Sequence, residues 1–240
     1  MLKISPYQLL RGAEAKIQIN PHCFLRQPTL GDIVGLSYDK YQDYLTTFLV
    51  KKSALLKSLG AEDGPEFDQY SLYDIMLLIP ELRANLLDAL AFFVSGTVTA
   101  SEQTIYVDGH PLSTQDLHDI SAAVAKMSYI ELDDESQHVF ASEKARRLWE
   151  KMQKGRQELK KAKNADADME MINLISALAA RGTGYNLFNI WDLTVYQLYN
   201  QFARTNVNVQ MDIYSSRWAA WGKDDFDVNM WFKNLTQKEG

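Results

Sequence analysis

The chain has 240 residues and a mass of 27.4 kDa, enough to bury a sizeable core in one or two domains. Its 46% apolar and 23% charged composition excludes wholesale disorder, and a net charge of -6 with a pI near 5.3 speaks against the basic surface of a nucleic-acid-coating protein. One cysteine, Cys23, excludes an intrachain disulfide and most cysteine-based zinc sites.

Residues 16–20 (KIQIN) alternate like a short strand that Asn20-Pro21 closes. A helix start is expected at 27–32, where Thr29 can accept from the free N–H groups of a first turn and Asp32 follows three residues later. Gly31 and Gly35 limit that helix to one or two turns. A longer one follows, with Tyr38, Tyr41, Leu45, Phe48 and Leu49 on one face and Leu55, Leu56 and Leu59 carrying the apolar content to Gly60. The polar turn 61–67 is the first boundary, so residues 1–60 read as an N-terminal unit of a strand and helices.

Ser71 and Asp74 repeat the capped start, with Leu72, Ile75, Met76 and Ile79 at helical spacing. Pro80 pushes Ile79 out of the helical region and opens a further helix bearing Leu82, Leu86, Leu87, Leu90 and Phe93, which stops by Gly96. The clear β signal comes next. Residues 94–99 and 104–107 are rich in β-branched side chains and read as a hairpin across 100–103, with Asp108-Gly109 as a turn afterwards. Ser113 and Asp116 then cap a helix whose stripe is Leu117, Ile120, Val124 and Met127. Residues 61–142 thus form a second unit of helices plus the hairpin.

Residues 143–163 change character: nine lysines and arginines stand against three glutamates, about +6 here against about -12 elsewhere. Residues 143–164 read as an exposed basic connecting helix. Its Lys144, Arg146, Arg147, Lys151, Lys154, Arg156, Lys160 and Lys161 are candidates for contact with nucleic acid or an acidic protein partner. The final unit, 165–240, opens on the stripe Met171, Leu174, Ile175 and Leu178, ended by Gly182 and Gly184. Asn189 with Asp192 is expected to cap a helix lined by Trp191, Val195, Leu198 and Phe202. The fold class expected is mainly α, a multi-helix bundle with one small β-hairpin insertion.

Catalytic constellations are hard to find. His22, His110, His118 and His138 offer no i, i+4 pair and no HExxH spacing, and His118 lies opposite its helix's apolar stripe, as a solvated histidine would. Asp133, Asp134 and Glu135 read as a solvated acidic turn. No GxSxG elbow occurs, Cys23 reads as a small buried residue, and Arg181-Gly-Thr-Gly184 follows a helix rather than a strand. No metal or cofactor is expected. An enzyme would have to gather separated groups such as His22, His110, Asp116 and His138 around a pocket. A helix-turn-helix about the glycines is disfavoured, because 189–204 offers aromatic residues and a single arginine where bases would be read. Residues 1–6 lack the apolar stretch of a leader, and residues 86–94, the longest apolar run, are interrupted by Asp88. An acidic, soluble, cytosolic protein is expected.

The interaction signal lies at the C-terminal end. Twelve of the 27 aromatic residues fall between positions 185 and 232, with four of the five tryptophans. Trp218, Trp221 and Trp231, with Tyr214 and Phe232, are the candidate partner-binding residues, since such rings combine large apolar area with a polar edge. Trp191, Tyr196, Leu198, Tyr199 and Phe202 read instead as residues that hold the C-terminal unit together.

Residues 28–33 (PTLGDI), continuing through Tyr38, Tyr41 and Tyr44 to Phe48, resemble the opening of phage-encoded proteins found among tail and virion-assembly genes. Residues 189–199 (NIWDLTVYQLY), with Phe202, resemble their C-terminal helix. Such proteins are described as tail-assembly chaperones or virion-morphogenesis proteins of tailed phages, chiefly of Gram-positive hosts. The resemblance covers about a fifth of the chain and carries no catalytic motif. It implies a non-enzymatic protein without a cofactor that binds phage tail or other virion proteins in the host cytoplasm. Self-association fits that role; a nucleic-acid partner is the alternative, through 143–163, and no membrane is involved.

Overall fold

A computed structural model of the protein describes residues 2–61, 64–101, 104–130, 171–182, 184–222, 227 and 229–232. The basic stretch 143–163, the acidic turn at 133–135 and His138 lie outside the described residues.

The architecture is mainly helical, with nine α-helices and two small antiparallel sheets among the described residues. The chain opens on α1 (Pro6–Arg11), where no helix was expected. Ser5 and Gln8 form a capping box, Pro6 suits the first turn, and only Leu9 is buried, so the helix has no stripe to read. β1 (Ile17–Asn20) ends where Asn20-Pro21 suggests, but it does not stand alone. It pairs antiparallel with β2 (Cys23–Leu25) in the register Ile17 to Leu25 and Gln18 to Phe24. α2 (Leu30–Leu36) starts at a Thr29–Asp32 capping box and is followed by α3 (Tyr38–Leu49) and α4 (Lys52–Ser58). The single long helix expected to Gly60 is therefore two. Val50 and Lys51 are extended, which redirects the chain so that Leu55 and Leu56 reach the core separately from Tyr41, Tyr44, Leu45 and Phe48.

α5 (Leu72–Leu78) and α6 (Pro80–Phe93) are separated at Ile79, which Pro80 holds extended. The expected hairpin becomes a three-stranded sheet: β3 (Val98–Ala100), β4 (Ile105–Val107) and β5 (His110–Pro111), in that order. Val94 contributes no hairpin residue; it forms a bridge with Leu25 and so ties the end of α6 to the first sheet. α7 (Thr114–Met127) carries the expected Ser113–Asp116 capping box. α8 (Met171–Ala180) precedes α9 (Val195–Trp221). Asn189 heads only the 3-10 turn Ile190–Asp192; the cap of α9 is Thr194, with Gln197 completing the box.

The buried apolar residues form one cluster drawn from α1 through α9. α3 packs on α6 and α7, α5 on α6, and α8 on α9. Near the centre the fully buried Phe93 ring meets Phe48 edge-on at 5.7 Å. Several polar groups inside find partners: Tyr41 Oη and Ser128 Oγ are 3.0 Å apart, and the Tyr73 hydroxyl donates to the Leu117 carbonyl at 3.1 Å, whereas Oε1 of buried Gln27 has no hydrogen-bond partner among the described residues. The N-terminal helix is anchored from two directions. Nε2 of buried Gln27 lies 2.9, 2.7 and 2.8 Å from the carbonyl oxygens of Gln8, Gly12 and Ala15, and Gln197 Nε2 donates to the Leu10 carbonyl at 2.8 Å. Gly12, at φ 68°, lies so close to the Gln197 amide that a Cβ there would come within 2.5 Å of it.

Candidate interaction surface

α9 is 27 residues long, about 40 Å at 1.5 Å per residue, and only Val195, Tyr196 and Leu198 in its first turns are buried. Tyr199 stacks on Tyr129 at 5.4 Å, and Trp191 donates its indole N–H to the Leu187 carbonyl at 2.7 Å. Tyr199, Phe202 and Trp191 all pack partly buried against the core. This first part of the helix is thus structural, in the manner the sequence suggests for Trp191, Tyr196, Leu198, Tyr199 and Phe202. Burial pushes the Tyr199 hydroxyl well above its ordinary range, chiefly by desolvation.

Beyond Leu198 no residue of α9 is buried. Tyr214 (42% exposed), Trp218 (53%) and Trp221 (67%) follow one another at i, i+4 and i+7, which places them on one face. Gly222, in the left-handed conformation, ends the helix, its N–H donating to the Trp218 carbonyl. Trp231 and Phe232 are not part of that stripe. They lie in the turn Met230–Phe232, which packs back on α9, with Arg204 Nη1 donating to the Trp231 carbonyl at 2.9 Å. Their rings meet edge-on at 5.2 Å and both stay more than half exposed. The structure therefore brings the five candidate residues onto one helix in two groups rather than into one cluster.

Two further exposed apolar residues were not singled out by sequence. Leu187 is 60% and Phe188 95% exposed, on a turn that side-chain amides hold rigid. Asn186 Oδ1 accepts from the N–H groups of Phe188 and Asn189, Asn189 Oδ1 accepts from Asn186 N–H, and Asn189 Nδ2 donates to the Gly184 carbonyl. The signal was present as two asparagines flanking Leu-Phe, since asparagine bonds its own backbone in turns.

The structure brings two of the described histidines together next to Cys23. His22 and His110 do meet, with rings stacked 3.7 Å apart and 11° from parallel, but both are exposed. Cys23 beside them is fully buried in β2, and its thiol is pushed up to about 11, first by burial and then by Asp116 and Asp108. Burial would raise the Asp116 carboxyl, but hydrogen bonds from Ser113 and Asn20 outweigh it and hold the group below its ordinary value. Asp116 is thereby engaged in capping α7. His118 is exposed, with its ring against Tyr73. Among the described residues no group of three His, Cys, Asp or Glu side chains could hold a metal ion. None of the described helices is long and apolar enough to cross a membrane.

Residues 160–236 match the family model described as the YomV second domain, a phage-associated domain. The matched third of the chain contains α8, α9, the Leu187-Phe188 turn and the Met230–Phe232 return. It includes the 189–202 stretch, whereas 28–48 lies outside it. No curated protein matches the chain, and no solved structure does. Of the sixteen large apolar residues exposed among the described residues, nine fall within the matched segment.

Proposed function

We propose that the protein acts by binding other proteins during phage assembly, as a tail-assembly chaperone or a minor virion-morphogenesis protein in the host cytoplasm. Its task in this reading is to shield apolar surface on a tail component until that component is incorporated, without catalysis and without a cofactor. The observation that carries the reading is the outer half of α9. It holds Tyr214, Trp218 and Trp221 on one face, each 42–67% exposed, inside the segment that matches a phage-associated domain. Aromatic rings dominate protein-binding hot spots, because each covers a large apolar area at low cost in side-chain entropy. An amphipathic helix on the partner, laid along this face, would bury the three rings together.

The test is an affinity capture of tagged protein from cells that co-express its neighbouring genes, alongside a Trp218→Ala/Trp221→Ala/Trp231→Ala variant checked for folding by circular dichroism. Capture of a tail component by the parent protein, lost in the folded variant, supports the reading. Recovery of nucleic acid alone, unaffected by the tryptophan changes and removed by salt, overturns it and turns attention to the basic residues of 143–163.

A further inference from the structure

Two histidines from different sheets are held face to face. His22 lies in the turn between β1 and β2, where its N–H donates to Asn20 Oδ1 at 2.9 Å. His110 opens β5 and pairs with Val107 across the turn of Asp108 and Gly109, both at positive φ. The Thr97 N–H donates to Asp108 Oδ1 at 2.8 Å and pins that turn beside β3. The two sheets are also joined through the backbone: the Ser95 N–H donates to the Phe24 carbonyl at 2.7 Å, and Leu25 bridges Val94. Backbone on both sides therefore brings the rings together, and both side chains stay exposed.

Their spacing suits a shared ion. The ring centroids are 3.7 Å apart and the planes 11° from parallel. Two imidazole nitrogens bound at about 2.0–2.1 Å to a tetrahedral zinc sit about 3.4 Å from each other. A modest tilt of each ring about χ2, a soft torsion, aims one nitrogen of each at a common point. The local charge has the matching sign. Asp116 and Asp108 both act on the thiol of Cys23, the neighbour of His22 in the chain, and both favour a cation there. Burial and those carboxylates push that thiol up to about 11, so it does not compete for the ion as a thiolate at neutral pH.

We propose that His22 and His110 form a two-histidine site for a divalent transition ion of the zinc, nickel and copper class, which fastens the β1–β2 turn to β5. Imidazole suits these ions, whereas calcium and magnesium take oxygen ligands. Among the described residues no third ligand side chain is in place. The ion therefore keeps water at its other positions, and the site is exchangeable rather than a closed cage. It shares no residue with the tryptophan surface and does not depend on the assembly role.

Thermal denaturation of the full chain with and without Zn²⁺ tests it, the dissociation constant being measured by calorimetric titration. At free Zn²⁺ about ten times that constant the folding equilibrium shifts about tenfold, a rise of about 3–5 °C in midpoint for a chain of this size. His22→Ala and His110→Ala should each abolish the rise; both positions are exposed, so the variants keep the fold. His118→Ala and His138→Ala should retain it, and Mg²⁺ should not produce it. Cu²⁺ on the parent protein should show nitrogens of two imidazoles by electron paramagnetic resonance, and of no more than one after His110→Ala. A midpoint indifferent to Zn²⁺ in roughly hundredfold excess over protein, a rise that survives His22→Ala or His110→Ala, or a single-imidazole copper spectrum would each overturn the proposal. None of these outcomes bears on capture of a tail component, so the two readings fail separately.

Discussion

Thr29 and Thr194 cap two different helices and lie side by side, joined as an isolated antiparallel β-bridge. Thr29 Oγ1 accepts from the Asp32 N–H at 3.1 Å and Thr194 Oγ1 from the Gln197 N–H at 3.3 Å, while the Leu30 N–H donates to the Leu193 carbonyl at 2.7 Å. The starts of α2 and α9 are thus one piece of structure.

Each threonine should therefore be worth more than its own helix. Thr29→Ala and Thr194→Ala are expected to cost about 1 kcal/mol apiece, the usual worth of an N-cap. Because the two caps are bridged, the double variant should depart from the sum by about 0.5 kcal/mol or more. Urea unfolding of the four proteins measures this directly; strict additivity would show that the bridge carries no coupling.

Ser37 is shared between the end of α2 and the start of α3 at φ 93° and ψ 143°, a conformation that side chains rarely adopt. Ser37→Gly removes the strain and loses only a long 3.4 Å hydrogen bond from the Lys40 N–H. Glycine is nearly as good a cap as serine, so the variant should be more stable by about 0.5–1 kcal/mol after the added freedom of its unfolded chain. A lower urea midpoint than the parent protein would refute this.

Two phenylalanines make a paired prediction. Phe93→Ala opens a cavity beside Phe48 and should cost about 3–5 kcal/mol. Phe188→Ala, at a position 95% exposed, should change stability by less than about 0.5 kcal/mol. Thermal denaturation distinguishes them at once.

Alkaline pH should unfold the protein through its tyrosines. Burial holds the Tyr41 and Tyr199 hydroxyls well above their ordinary range and pushes Tyr73 up to about 12. In the unfolded chain these groups ionise near 10, so above that pH the unfolded state binds fewer protons than the native one and stability falls. The contribution is complete below pH 10 and declines as pH rises toward 12. Tyr73→Phe should flatten the decline in a series of urea titrations; an unchanged slope would remove Tyr73 from the account.

Much of the helical frame was legible because one device recurs. Thr29–Asp32, Ser71–Asp74 and Ser113–Asp116 all form the capping boxes that their spacing suggests. Asn189–Asp192 shows the same spacing without the helix, since both Asn186 and Asn189 spend their side chains on the Leu187-Phe188 turn and Thr194 with Gln197 takes over. Helix α1 and strand β2 escaped notice because six and three residues are too few to display a period. The break between α3 and α4 has neither proline nor glycine to announce it. Of the candidate surface, the residue types were visible; their division into two groups was not. It depends on how far α9 runs and on where the chain after Gly222 returns, and neither leaves a pattern in the residues themselves.

The contact between Gln197 and the Leu10 carbonyl spans 187 positions of the chain. A ribosome translating this chain therefore makes the Gln197 side of the α1 berth 187 residues after Leu10. Until then the N-terminal segment has only the Gln27 side of its berth, and the Gln197 side stays open until Thr194 and its neighbours leave the exit tunnel. Completion of the fold is gated by translation of the same segment that bears the exposed tryptophans.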